Sequence, residues 1–481
     1  MLEHDSKFIL VDCGLLQDSR EEKNFEPFKY NPAEVDFLLI THAHMDHIGK
    51  VPKLVKDGFK GKIISTVETM ELSKPMLEDA LRVMQSKFPN QKLFSQEDIQ
   101  KAFSLWQGHR YGEKIELFEN CFLEMQNAGH ILGSAILNVT TSPPTPLLAK
   151  ERGEKTITVS FTGDLGNSPS TLLPDTDIPL GADYIVMESV YGDRNHIDKK
   201  ERRERLKEAI LEGIKKEGTI IIPAFSIERT QVLLYELNNM IEDKEIPSVP
   251  VFLDSPLALK VTDIYKKYEK DFKKSVQEEI KKGDDIFDFP GLQIIKSAQD
   301  SAEIEKIKGA RIILSGSGMS EGGRVVNHEL SYLPDPSATI ILVGYQAAGT
   351  LGRKLEDGAK EIEITPPQPL PKGEGQERNQ YANKRKIKVR AKIEVVKGYS
   401  SHMDSEHLVE FVEKTTSPGL RLGLSSTEER QGKQTSFSHK LKRVFVIMGE
   451  PKSSLFLCQR IREYLDIDAI YPGEGREYEL K

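Results

Sequence analysis

The sequence predicts a layered α/β protein built from two units, and three observations carry that prediction. Short apolar runs in the first part of the chain end in polar or acidic residues, the pattern of sheet strands whose C-terminal ends carry function. From residue 199 onward, strand-like and helix-like segments alternate as a parallel sheet requires. The length of 481 residues also exceeds one ordinary domain.

The strands of the first part are "KFILVDCG" (7–14), "VDFLLITHAH" (35–44), "GKIISTVET" (61–69), "TITVSFTGDLG" (156–166) and "ADYIVMESVYG" (182–192). The stretch "KKERRERLKEAILEGIKKEG" (199–218) reads as an amphipathic helix closed by Gly218. A strand and a helix follow in "GTIIIPAFSIERTQVLLYELNNM", and the alternation continues through "SVPVFLDSP" (248–256), "ARIILSGSGM" (310–319) and "ATIILVGYQ" (338–346). From about 391 the chain returns to the strand-then-polar-loop style of its first part. Three segments interrupt the rhythm: 140–156, 365–384 and 415–437. The first two share a Pro-Pro-x-Pro-Leu core, and the third repeats the Thr-Thr-Ser-Pro opening of the first. Such polar, proline-rich stretches build no packed core, so all three read as surface inserts outside the chemistry.

Composition excludes several classes. No apolar run reaches the length of a membrane span, and "MLEHDSKFILVDCG" lacks the pattern of a secretory signal, so a cytoplasmic protein is expected. Cys13, Cys121 and Cys458 lie far apart and fit reduced thiols better than a disulfide or thiolate-metal framework. The net charge of −8 has the wrong sign for a non-specific nucleic-acid coat. A polyanionic substrate must then be met by a local basic groove, bound metal or backbone donors.

The chemistry concentrates in "THAHMDH", where His42, His44, Asp46 and His47 follow a strand at once. Imidazole and carboxylate are zinc ligands, and a turn after a strand presents alternate residues to two points in space. Further donors stand in similar contexts: His130 between glycines in "NAGHILGSA", and Asp164 after an apolar strand in "SFTGDLGN". Asp12 in "VDCG" reads as a carboxylate supporting a metal-bound histidine, not as a ligand.

These motifs resemble the metallo-β-lactamase fold hydrolases. "MESVYGDR" (187–194), "PAFSIERTQVLLYEL" (223–237), "LDSPLA" (253–258), "LSGSGMSEGGR" (314–324), "VGYQAAGTLGR" (343–353) and "GYSSHMD" (398–404) further resemble its β-CASP branch, which contains ribonuclease J and bacterial relatives of the cleavage and polyadenylation specificity factor nuclease. The resemblance implies an αββα sandwich from 1–191 and 391–481, expected to lack its first strand, with a β-CASP α/β cap over 192–390. It implies two zinc ions: His42, His44 and His130 at one, Asp46 and His47 at the second, and Asp164 bridging. Asp46, Glu188 and His402 would be catalytic, and Ser317, Arg324, Arg353 and Ser401 would contact substrate. The implied reaction is phosphodiester hydrolysis of single-stranded RNA, with Glu188 orienting His402 to protonate the departing ribose oxygen. The partners expected are single-stranded RNA and, as assembly, a homodimer.

The chain departs from the pattern in places. Met448 in "VFVIMGEP" stands where a histidine ligand of the second zinc is expected, and a thioether is a poor zinc ligand, so that site should be weakened. Val190 replaces a usual threonine and Glu228 a usual glycine. The competing reading is a non-catalytic or weakly active relative serving as an RNA-binding or partner subunit. A small-molecule thioester or lactam hydrolase is disfavoured by the long cap with Glu188 and His402.

Overall fold

A computed structural model describes residues 1–16, 21–141, 156–197, 199–364, 385–416 and 441–481. The core of each predicted insert lies outside these residues. The chain divides into two compact units, Met1–Asn195 with Ser401–Lys481, and His196–Ser400. Among the described residues no helix is long and apolar enough to cross a membrane.

The first unit holds two sheets. One runs in the order β1 (Leu2–His4), β2 (Lys7–Val11), β3 (Phe37–Leu39), β4 (Lys62–Thr66), β5 (Trp106–His109), parallel throughout except for the β1–β2 hairpin at its edge. The other runs β20 (Ala469–Ile470), β19 (Arg443–Val446), β10 (Tyr184–Met187), β9 (Ile157–Phe161), β8 (Ala135–Thr141), β7 (Cys121–Asn127), β6 (Lys114–Phe118). Side-chain alternation explains how they stack. Cys121, Leu123 and Met125 of β7 and Ala135, Leu137 and Val139 of β8 meet Ile9, Phe37, Leu39 and Ile64 of the first sheet in one core. Ile136, one residue out of phase, joins Ile185, Met187, Val444 and Val446 in a second core. That core is closed by Leu408, Phe411 and Val412 and by Leu457 and Ile461 from two C-terminal helices. On the first sheet, helices over Val67–Lys87 and Gln96–Leu105 pack on β4, and the longer also on β5. The layers are therefore α, β, β and α. The sequence reading bounds no element between residues 69 and 140; helix Gln96–Leu105, β5, β6, β7 and nearly all of β8 lie there, and helix Val67–Lys87 takes the last three residues of the predicted strand 61–69.

The second unit is a six-stranded parallel sheet, ordered β13 (Leu292–Ile294), β12 (Val251–Asp254), β14 (Arg311–Ser315), β11 (Thr219–Pro223), β15 (Thr339–Leu342), β18 (Lys392–Val395). A separate hairpin, β16 (Glu361–Ile364) with β17 (Arg385–Lys388), packs beside it through Ile362, Ile364 and Ile387. Helix Lys199–Lys215 buries Leu206, Ala209, Ile210 and Gly213 at helical spacing.

Three expectations need correction. The return to the first unit starts at Ser401, not near 391, because β18 pairs with β15 along its whole length and belongs to the second unit; the first boundary likewise falls after Asn195, not Tyr191. The insert limits move inward, since Thr140 and Thr141 belong to β8 and Thr415 and Thr416 to helix Ser405–Thr416. Gly218 lies beyond the helix end at Lys215 and does not take the left-handed position, which Glu217 holds at φ +52; the Gly218 amide still closes the last turn on the Gly213 carbonyl at 3.2 Å, and a side chain at 218 would collide with the Ser337 carbonyl.

Candidate metal centre

The centre is built at strand ends of the first unit. After β2 the backbone of Asp12 turns with φ +57, and its carboxylate reaches the segment beyond β3: Oδ1 accepts the Thr41 amide at 2.8 Å, and Oδ2 accepts the Thr41 hydroxyl at 2.8 Å and faces His47 Nδ1 at 2.7 Å. Thr41 Oγ1 in turn faces His42 Nδ1 at 3.0 Å. The Ser401 carbonyl faces His130 Nδ1 at 3.2 Å. Each oxygen accepts a ring N–H, which turns Nε2 of His42, His47 and His130 to the centre. Burial opposes a charged His47, yet the Asp164, Asp12 and Asp46 carboxylates outweigh it and hold its pKa well above the usual histidine range, so a cation there displaces the Nε2 proton. Gly163 has φ +54, and a Cβ on it would lie 2.6 Å from Thr41 Cβ, so only glycine lets Asp164 come this close.

The donor atoms fit a divalent cation. His42 Nε2 lies 3.0 Å from His44 Nδ1, which lies 3.2 Å from His130 Nε2, and Asp164 Oδ2 is 3.4 and 3.5 Å from His42 and His130. A tetrahedral site with bonds of about 2.0–2.1 Å has edges of about 3.3 Å. Lone pairs gathered at that spacing repel one another unless a cation sits between them. His42, His130 and Asp164 are buried, and His44 is half-buried. Burial first, and neighbouring imidazoles second, keep His44 and His130 well below the usual histidine range, so they stand as neutral donors.

A second position adjoins the first. Among the described residues His47 Nε2 is buried with no hydrogen-bond partner, as is Asp164 Oδ1. His47 Nε2 lies 3.5 Å from Asp164 Oδ2 and 3.8 Å from Asp46 Oδ2, and the Asp46 side chain is half-exposed. Met448 follows β19 in the left-handed region at φ +62, with an exposed side chain.

Beside these groups Glu188 and His402 form a pair. His402 Nδ1 is 3.2 Å from both Glu188 oxygens and 3.8 Å from Asp164 Oδ2, and its ring centroid is 4.6 Å from that of His130. The buried Glu188 carboxylate also accepts the Leu165 amide at 2.6 Å. Burial opposes a charged His402 imidazole, yet the Glu188 and Asp164 carboxylates outweigh it and hold its pKa up to about 9. The sequence reading missed Thr41 and the Leu165 amide; the threonine directly before "HAHMDH" was the available signal for the first, and a backbone donor leaves none.

The predicted substrate residues are differently placed. Arg324 is tied inside its own unit, donating to Asp254 Oδ1 at 2.5 Å and to the carbonyls of Ile295 and Lys296 at 3.2 and 3.1 Å. It ties the loop after β14 to the end of β12, and its expected phosphate role stays a proposal. Arg353 pairs with Asp357 one helical turn on, at the surface. Ser317 lies in the loop after β14, and Ser401 contributes its carbonyl to His130 and to the Asn167 amide.

Comparison with known proteins agrees with this geometry. A metallo-beta-lactamase superfamily domain model matches residues 1–151 and a Beta-Casp domain model matches 230–355. Such a superfamily domain implies divalent metal binding. The RNase J-like protein of Methanocaldococcus jannaschii is 34% identical, covering 97% of this chain and 93% of its own. Ribonuclease TTHA0252 of Thermus thermophilus is 33% identical over 84% of this chain and 85% of its own. Transcription termination factor FttA of Pyrococcus horikoshii is 29% identical over 98% of this chain and 67% of its own. On these matches the chain belongs to the β-CASP branch of the metallo-β-lactamase superfamily.

Proposed function

We propose that the protein is a zinc-dependent ribonuclease that hydrolyses phosphodiester bonds of single-stranded RNA. The observation that carries this reading is the Glu188–His402 pair set against the group of His42, His44, His130 and Asp164. The ribonuclease names of two relatives support the substrate class.

His42, His44, His130 and Asp164 would hold one zinc; Asp46 and His47, with Asp164 shared, would hold the second. When bound, zinc supplies a water of lowered pKa and positive charge for the phosphate oxygens. The chain's own groups do the rest. Asp12 and the Ser401 carbonyl keep the imidazoles in their ligating tautomers. Glu188 holds His402 Nδ1, so Nε2 is the nitrogen that delivers a proton to the departing ribose oxygen. Ser317, Arg324 and Arg353 stay as proposed substrate contacts. With Met448 in place of an imidazole the second zinc binds more weakly than the first.

Met448 is also the observation that favours the second reading, a non-catalytic RNA-binding subunit. Cleavage of an end-labelled single-stranded RNA by zinc-loaded protein separates the two. The ribonuclease reading expects cleavage that Asp164→Ala abolishes. Folded wild-type protein that binds RNA and leaves it whole supports the subunit instead.

A further inference from the structure

A second feature of the first unit is unused by this chemistry. A cleft of about 490 Å³ opens between the segment after the Asp12 turn, the helix Val51–Lys56 and the loop at Lys92. The volume falls in the range of small-ligand sites. One wall is aromatic: Phe28 and Tyr30 lie 5.3 Å apart at a 35° tilt, and Phe25 is braced edge-on by Phe88 at 5.2 Å.

Three lysines line it, in two distinct states. Lys53 is buried, 2.5 Å from Asp57, with its ammonium 4.1 Å from the Phe28 ring centroid. Its charge is neutralised, and it fixes the ring from one side. Lys56 and Lys92 are exposed at the rim, and among the described residues neither is paired with a carboxylate. Lys56 donates to the carbonyls of Lys92 and Leu93 at 3.2 and 3.0 Å, which holds its ammonium in place and leaves one of its three protons. The chain has net charge −8, so a fixed aromatic wall under two such cations stands out against its surroundings. The cleft is linked to the metal centre: the Tyr30 hydroxyl meets the Cys13 thiol, the Cys13 amide donates to the His47 carbonyl at 2.7 Å, and the helix bearing Lys53 and Lys56 begins just after His47.

We propose that this cleft is a subsite for single-stranded RNA outside the scissile bond, with a base against the Phe25–Phe28–Tyr30 wall and backbone phosphates on Lys56 and Lys92. Stacking suits any base, and lysine at an open rim suits a phosphate without selecting sequence. The choice of RNA rests on the ribonuclease reading above.

The test measures binding of a fluorescein-labelled oligouridylate to the full-length chain in chelator, where no cleavage occurs, across a salt series. For Lys56→Ala/Lys92→Ala, loss of two phosphate contacts should lower the slope of log affinity against log salt by about 1.4, at about 0.7 per contact. Phe28→Leu keeps the apolar volume and should weaken binding roughly five- to a hundred-fold, as loss of a stacking aromatic does. Lys281→Ala/Lys282→Ala makes the same charge change elsewhere and should leave both readouts alone. Wild-type protein that binds RNA, with affinity and slope unchanged in both cleft variants, overturns the subsite and spares the ribonuclease reading. Wild-type protein that binds no RNA in chelator overturns the subsite and leaves the ribonuclease reading to the cleavage assay with zinc-loaded protein.

Discussion

At the level of single residues, the proposed second zinc position turns on Met448. Its φ of +62 lies in a region where histidine is enriched and unbranched apolar residues are uncommon, so Met448→Gly would relax the backbone while Met448→His would both suit it and supply nitrogen. With Met448→His, bound zinc should rise from about one toward two per chain, and cleavage should rise about tenfold or more; elemental analysis and initial rates check both. Unchanged zinc content would mean that residue 448 is no part of the second position. Asp12 acts through His47, so Asp12→Ala should cost about 10–100-fold in zinc affinity, read by competition with a chelating dye. The two residues also mark what the sequence made legible. The histidines and Asp164 that gather in one group each follow a strand in a motif, whereas the tie of Arg324 to Asp254, 70 residues away in sequence, leaves no signal in a glycine-rich loop.

At the scale of elements, two helices of the second unit carry buried carboxyls that the proposed chemistry does not use. Glu228 precedes Arg229–Glu242 at the centre of a positive-φ γ-turn closed by the Arg229 amide on the Ile227 carbonyl at 2.8 Å, and Tyr265 donates to it at 2.6 Å. Glu329, in Val325–Tyr332, accepts from the Ser320 hydroxyl at 2.5 Å. Burial pushes Glu228 up to about 7 and Glu329 up to about 8. Both values lie above the unfolded carboxyl range, so between pH about 4.5 and about 8 these two carboxyls hold more protons in the native state than in the unfolded chain. Their contribution to stability should therefore fall as pH rises through that window and level off above it, by on the order of a few kcal/mol. Melting of Glu329→Gln from pH 5 to pH 9 should show a clearly flatter profile than wild type; parallel profiles would contradict the assignment. Strand–helix alternation made most of these elements readable. It failed at β18, because "KIEV" continues the style of the first unit and only its pairing with β15 places it in the second.

For the whole molecule, the inserts and the metal centre are separable. Thr141 pairs with Ile157 and Ile364 with Arg385, so the first two interrupted segments leave the ends of closed hairpins, where loop length costs little. Replacing 142–155 and 365–384 by short glycine-containing turns should keep melting within a few degrees and cleavage within about twofold, as calorimetry and rate measurements can establish. The αββα layering followed from the motifs, whereas the long helices of 67–105 carry no catalytic motif and stayed out of reach of a strand-centred reading. The account stands most directly on His402 as the proton donor to the leaving group. The measurement that tests it compares cleavage of ordinary RNA with RNA carrying sulfur in place of the departing bridging oxygen, a leaving group that needs no proton. His402→Ala should lose roughly 10²–10⁴-fold on ordinary RNA and stay within about tenfold of wild type on the sulfur substrate. Equal losses on both substrates, or no cleavage of either by the zinc-loaded wild type, would contradict the account.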